Sequence, residues 1–225
     1  RRRTAHPLTL ASDADPVPRD ATETRARLLR SAERLFARHG VYQVTVREIT
    51  AAAGQRNVSA LNYHFGSREG MLDAILTRYG DPTDVARGQW LEAMGREAPS
   101  RDLMAALVVP YAAHLRNPEG RDYLRIVAQM SAGFNTWREP NPGTGPYLRE
   151  IFDILEARST ALSVELRRER VVEVIMLMTI AMAERARAVE SGRSLELDEP
   201  TFEANLTDVL VGVLEAPLRG PLRHC

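Results

Sequence analysis

The chain contains no lysine and one cysteine: all 30 of its basic residues are arginine, and Cys225 is the last of 225 residues. A lone thiol closes no internal disulfide and has no neighbour at metal-ligand spacing, so a disulfide scaffold and a cysteine-based metal site are excluded. A reducing cytoplasm is the expected setting. Long apolar runs are missing too. The best candidate, "VIMLMTIAMA" from Val174, falls far short of the roughly 20 residues a membrane-crossing helix needs, and no membrane partner is expected. "RRRTAHPLTL", at the start, lacks an apolar stretch long enough for a signal peptide. Strand-length period-two alternation and a fixed-period repeat are also absent, which removes the β and solenoid classes.

Catalytic groupings are scarce. His6, His39, His64, His114 and His224 show no pair at helical metal spacing, and neither a "GxSxG" elbow nor a phosphate-cradling glycine loop occurs. Glu165 and Glu169 lie in "ELRRERVVE", whose alternating charges describe a solvated helix face. Neither an enzyme nor a cofactor or metal is expected. Net charge is zero, but its distribution is uneven: residues 1–80 hold 13 Arg against 8 acids, and residues 81–225 hold 17 against 22. The front is basic and the back acidic.

What remains is helical signal. Residues 1–19, with Pro7, Pro16 and Pro18, read as a flexible arm whose Arg1, Arg2, Arg3 and Arg19 are solvated or reach phosphate. From Asp20, a capping pattern with Glu23 and apolar Leu28, Ala32, Leu35 and Phe36 predict a helix ending at Gly40, with His39 at its favourable cationic end. Thr45 with Glu48 repeats the capping pattern, Val46, Ile49 and Ala53 form a stripe, and Gly54 ends this second helix. A third is expected from near Asn57 to Phe65, and a fourth, capped by Ser67, to about Tyr79. A break at "GDP", 80–82, precedes helices over roughly 83–98, 100–116, 118–134, 146–161, 163–191 and 198–215, with "NTWREPNPGTGP" (135–146) irregular. The fold class is all-α, with a three-helix front and a larger helical back.

Two short helices joined at Gly54 and braced by a longer one form a helix-turn-helix, whose second helix can enter the major groove of DNA. Arg56, Asn57 and Ser59 near the start of that helix can hydrogen-bond base edges or phosphates, with Asn62, Tyr63 and His64 further along. Thr45 can offer its hydroxyl or N–H to phosphate. The bland alternative makes Tyr63 a core aromatic.

On these residues the chain resembles the TetR family of transcriptional regulators. "AERLFARHG", Thr45, "REITAAAG", and "YHF" followed by "SREGML" occur in order within residues 24–76, about a quarter of the chain. Here "QRNVSALN" makes the turn one residue longer than the commonest family spacing, as in a subgroup with "GQRN" before "YHFGSREG". The resemblance implies a homodimer with paired DNA-binding heads on a palindromic double-stranded operator, and a variable helical effector domain behind each. The expected domains are then 20–80, including a linking helix 67–80, and 81–225.

For the effector pocket the resemblance points to the back helices, whose large residues are Trp90, Met94, Met104, Leu107, Tyr111, Tyr123, Ile126, Val127, Met130, Phe134 and Trp137. His114, Arg125, Gln129 and Asn135 are the polar candidates beside them. Plain core packing is the alternative for each apolar residue, and an apolar or aromatic small molecule is the expected effector. Wide apolar faces at 171–190 and 202–215 exceed what one packed layer buries and are the expected dimer surface, close approach being allowed by Ala181, Ala183 and Gly212. The expected function is a ligand-released repressor, and the alternative is an adaptor of this fold without operator recognition.

Overall fold

The structure, a computed structural model, describes residues 19–131, 137–138, 141–218 and 220. Among these residues it is all-α, as the periodicity predicts. Nine α-helices follow one another: α1 Arg19–His39, α2 Val46–Ala52, α3 Ser59–Phe65, α4 Arg68–Met94, α5 Ser100–Ala112, α6 Pro118–Ser131, α7 Pro146–Arg158, α8 Val164–Glu190 and α9 Glu199–Glu215. A 3-10 turn, Ala113–Arg116, extends α5. Of the arm expected over 1–19, Arg19 instead opens α1, and residues 1–18 with His6, and Phe134, Asn135, His224 and Cys225, lie outside the described residues.

Local chemistry accounts for most helix starts. Thr45 and Glu48 form a reciprocal capping box on α2, and Ser67, Ser163 and Asp198 accept the N–H groups of Gly70, Leu166 and Thr201 at the starts of α4, α8 and α9. Gly54, just past α2, has φ +69°, a left-handed conformation that a side chain rarely adopts. α3 begins at Ser59, two residues later than Asn57. The Asn57 Oδ1 accepts from both the N–H and the hydroxyl of Ser59, so Asn57 belongs to the turn leading into α3.

The front core is built from Leu28, Leu29, Ala32 and Phe36 of α1, Ile49 of α2, Leu61 of α3, and Met71 and Ile75 of α4, all buried. Arg68 fastens this unit: its Nε donates to the Val44 carbonyl at 2.9 Å and its guanidinium lies over the Phe36 ring.

The break expected at "GDP" does not occur. α4 continues through Gly80, Asp81 and Pro82 to Met94, and the separate helices expected to about Tyr79 and over 83–98 are one. Pro82 removes one backbone donor, but its ring faces solvent, and the buried stripe Leu76, Gly80, Thr83, Asp84, Arg87, Gly88 and Leu91 keeps helical spacing across it. Tertiary packing holds the helix where local propensity would end it.

That stripe receives the segment leading into α7. A Cβ on Gly80 would stand 2.6 Å from the Gly143 Cα, and one on Gly88 2.5 Å from the Tyr147 ring. The buried Asp84 carboxylate accepts the N–H groups of Tyr147 (3.1 Å) and Leu148 (2.7 Å), capping α7 from a residue 62 positions before the helix begins. Behind this layer, α8 packs on α6 and α9, and α5 packs on α9. No described helix is long and apolar enough to cross a membrane.

Candidate nucleic-acid interface and effector cavity

α3 is held from beneath by Leu61, fully buried, and by Phe65, which is partly buried under the Arg25 guanidinium. Its outer face carries Ser59, Asn62 and Tyr63, all exposed, with Arg56 and Asn57 exposed in the preceding turn and His64 half-buried against Tyr63. Tyr63 is 80% exposed, which rules out a core role for it. Six of the seven nominated polar residues therefore lie on or just before α3. The seventh, Thr45, is exposed at the start of α2, but its N–H (2.7 Å) and its hydroxyl (2.8 Å) both donate to the Glu48 carboxylate. These bonds hold the Glu48 carboxyl below its ordinary pKa. A phosphate at Thr45 would have to replace that carboxylate. Tyr42, 77% exposed in the turn before Thr45, and the exposed Arg47 of α2 extend the same surface. Neither was selected from the sequence, where an isolated Tyr or Arg gives no periodic signal.

A cavity of about 200 Å³ lies in the back domain between α4, α5, α6, α7 and α8. Of the nominated effector residues, Tyr111, Tyr123, Met130 and Trp137 line it, as does Val127. Met104 is buried elsewhere in the core, while Trp90 is 39% exposed on α4. Met94 and Gln129 do not line the cavity either, and Phe134 is outside the described residues. Trp137 is buried, with its indole N–H donating to Asp153.

His114 stands one layer behind the wall. Its ring packs edge-on to Tyr79, Tyr111 and Tyr123. Its Nε2 lies 2.8 Å from the Thr83 hydroxyl, which donates its one hydrogen to the Tyr79 carbonyl. The Thr83 oxygen is then the acceptor and Nε2 carries the proton. Burial, and secondarily the Arg87 charge, push the His114 pKa down to about 4, so the ring is neutral at pH 7.

The structure adds lining residues that periodicity could not suggest: Arg87 of α4, Asn141–Thr144, and Phe152, Ile175 and Met178 from α7 and α8. Arg87 and Thr144 are polar residues whose place in a wall depends on long-range packing.

Comparison with known proteins bears first on the front domain. Residues 28–75, from the middle of α1 into α4, match the family described as "Bacterial regulatory proteins, tetR family". The chain is 38% identical over 97 residues to the HTH-type transcriptional repressor KstR2 of Rhodococcus jostii strain RHA1. Residues 28–75 carry the family's DNA-binding domain. That KstR2 match spans 41% of this chain and 46% of the relative, so the chain covers about half of that relative's length. The fold extends further. A tetR-family regulatory protein from Rhodococcus RHA1 superposes with a TM-score of 0.53 at 19% identity, covering 85% of this chain and 96% of the other. NalD of Pseudomonas aeruginosa, the secondary repressor of the MexAB-OprM multidrug efflux pump, does so at 0.52 and 17% identity, covering 85% and 95%.

In this chain, α6 touches both the front domain and the cavity. One face supplies Tyr123, Val127, Met130 and Ser131 to the cavity. From the other, Gln129 accepts the Val41 N–H at 2.7 Å and donates to the Phe36 carbonyl at 3.1 Å, clasping the end of α1. Arg125 pairs with Glu190 of α8, which also meets Arg38 of α1 at 3.6 Å.

Proposed function

We propose that the chain is a homodimeric transcriptional repressor that binds a palindromic operator and releases it when a small, largely apolar molecule fills the back cavity. The observation that carries this reading is the outer face of α3: a large aromatic, Tyr63, stands almost fully in water beside Ser59, Asn62, Arg56 and Asn57, within the segment matched by the family. An exposed aromatic in a polar cluster on the second helix of a helix-turn-helix suits contact with a groove and its phosphates. Residues 20–80 then act as the DNA-binding domain and 81–225 as the effector and dimer domain, α4 running across the boundary. Work on DNA places the protein in the cytoplasm.

The dimer surface in this reading is α8 with α9. Leu177 and Ile180 on α8 and Val209 on α9 stay substantially exposed, and a Cβ at Gly212 would meet nothing, leaving room for a close partner. A dimer would set its two α3 helices about one DNA turn apart, roughly 34–36 Å. The effector would favour a conformation with another spacing, and operator affinity would fall by the ratio of its affinities for the two conformations. α4 and α6 are the structural candidates for transmission: α4 belongs to both domains, and α6 holds the cavity on one side and α1 on the other.

Selection of bound sequences from a random duplex pool at raised salt tests the reading, because salt suppresses phosphate-only binding. A recovered palindrome is the expected result. Arg56→Ala or Asn57→Ala should then relax preference at one base position, by about 1–3 kcal/mol per contact, while Tyr63→Ala or His64→Ala should weaken binding to all sequences alike. No enriched sequence from a folded protein would point instead to an adaptor of the same fold.

A further inference from the structure

Arg87 is only 4% exposed, lines the cavity, and forms no hydrogen bond or ion pair with any described residue; its Nε is buried without a partner. Asp84, one helical turn away, is the nearest conceivable counter-charge on α4, but both of its oxygens are taken by the N–H groups of Tyr147 and Leu148. The Tyr111 hydroxyl, in the same wall, is likewise buried and unpartnered. Such groups are costly to leave unmatched, since water is lost and nothing replaces it. No carboxylate stands among the described lining residues, and Arg87 is the cation among them. Val127, Met130, Trp137, Phe152 and Met178 supply apolar wall to the same cavity.

We infer that the cavity is built for an apolar monocarboxylate, whose carboxylate sits on the Arg87 guanidinium and the Tyr111 hydroxyl and whose tail lies against Met130, Trp137 and Phe152. A single cation matches a single negative charge, and the planar fork of an arginine matches a carboxylate with two parallel hydrogen bonds. Cavity size sets the length of the tail. A dry space of about 150 Å³ already accepts benzene, so about 200 Å³ suits one ring with a short acidic arm, or a medium aliphatic chain. This assignment rests on the reading of the cavity as the effector site and narrows it from apolar molecules in general to apolar acids.

The test is calorimetric titration of the full chain, without DNA, with 3-phenylpropanoate and the straight-chain acids hexanoate to decanoate, each beside its primary amide. At least one acid should bind, at least tenfold more tightly than its amide. Arg87→Met, which keeps much of the side-chain volume, should weaken the acid at least about 30-fold and abolish the preference. Tyr111→Phe removes a single oxygen and should weaken the acid several-fold with the amide little changed, which covers the case of an Arg87→Met protein that fails to fold. Amides binding as well as acids, no acid binding at all, or undiminished acid binding in folded Arg87→Met would overturn the assignment. An Arg87-dependent acid that leaves operator binding unchanged would instead refute the regulatory reading and leave the carboxylate site standing.

Discussion

Acidification should destabilise the protein through His114 in particular. Its ring is enclosed by Tyr79, Tyr111 and Tyr123 and hydrogen-bonded to Thr83; burial, and secondarily the Arg87 charge, hold its pKa at about 4 against an ordinary 6.5. The folded-state value lies below the unfolded one, so the unfolded chain takes up the proton first. The stabilisation is complete above pH 6.5 and is lost as pH falls toward 4. Integrating proton uptake from about pH 7.5 to about 4.5 gives a loss of about 2–3 kcal/mol from this one group. Urea unfolding of wild type and His114→Gln, at fixed protein concentration across that range, measures it. Other acid-sensitive groups act on both proteins and cancel in the difference. The wild-type curve should fall more steeply by about 2–3 kcal/mol; parallel curves would show that water reaches the ring and that burial does not keep it neutral.

Asp84→Ala should cost about 1–3 kcal/mol, because the Tyr147 and Leu148 N–H groups lose their acceptor; hydrogen exchange should accelerate at these two amides first, and unchanged protection there would refute the capping role. Gly80→Ala should destabilise although alanine favours helix by about 1 kcal/mol, since its Cβ would meet the Gly143 backbone at 2.6 Å; a higher melting temperature would show that the segment gives way freely. Gln129→Ala leaves the Val41 N–H without its acceptor. It should cost about 1–2 kcal/mol and reduce the effector-induced drop in operator affinity by a similar amount; full coupling in titrations of the variant would exclude α6 as a route.

The front domain was legible because its signals are local. Thr45 and Glu48 sit three residues apart, Gly54 must take a positive φ, and Leu61 and Phe65 are apolar residues on the inner side of a helix whose outer side is polar. The back domain was legible where large apolar side chains did the packing, as with Tyr111, Tyr123, Met130 and Trp137. It was illegible where the buried stripe consists of Gly80, Thr83, Asp84, Arg87 and Gly88, residue types that ordinarily signal a turn or a solvated face. Their burial depends on residues 143–148, about 60 positions later, and local periodicity carries no trace of such a partner. For the same reason α4 looked broken at Pro82 and Arg87 was missed.

The contact of Gly80 with Gly143, and of Asp84 with the start of α7, bears on how the cavity could be re-engineered. Gly143 is a wall residue, yet its backbone rests on α4 with no side chain to trim or regrow. A Cβ on Gly143 would stand 2.9 Å from the Leu76 carbonyl oxygen and one on Gly145 2.2 Å from the Asp84 carboxyl, so one-position libraries at 143 or 145 would return mainly unstable proteins. Gly80 and Gly143 meet through backbone, so no paired change relieves a Cβ at either, and position 145 alone, which faces the Asp84 carboxyl, could be varied together with its partner at 84. Specificity is more safely redrawn at Val127, Met130, Ile175 and Met178, residues of α6 and α8 that line the same cavity.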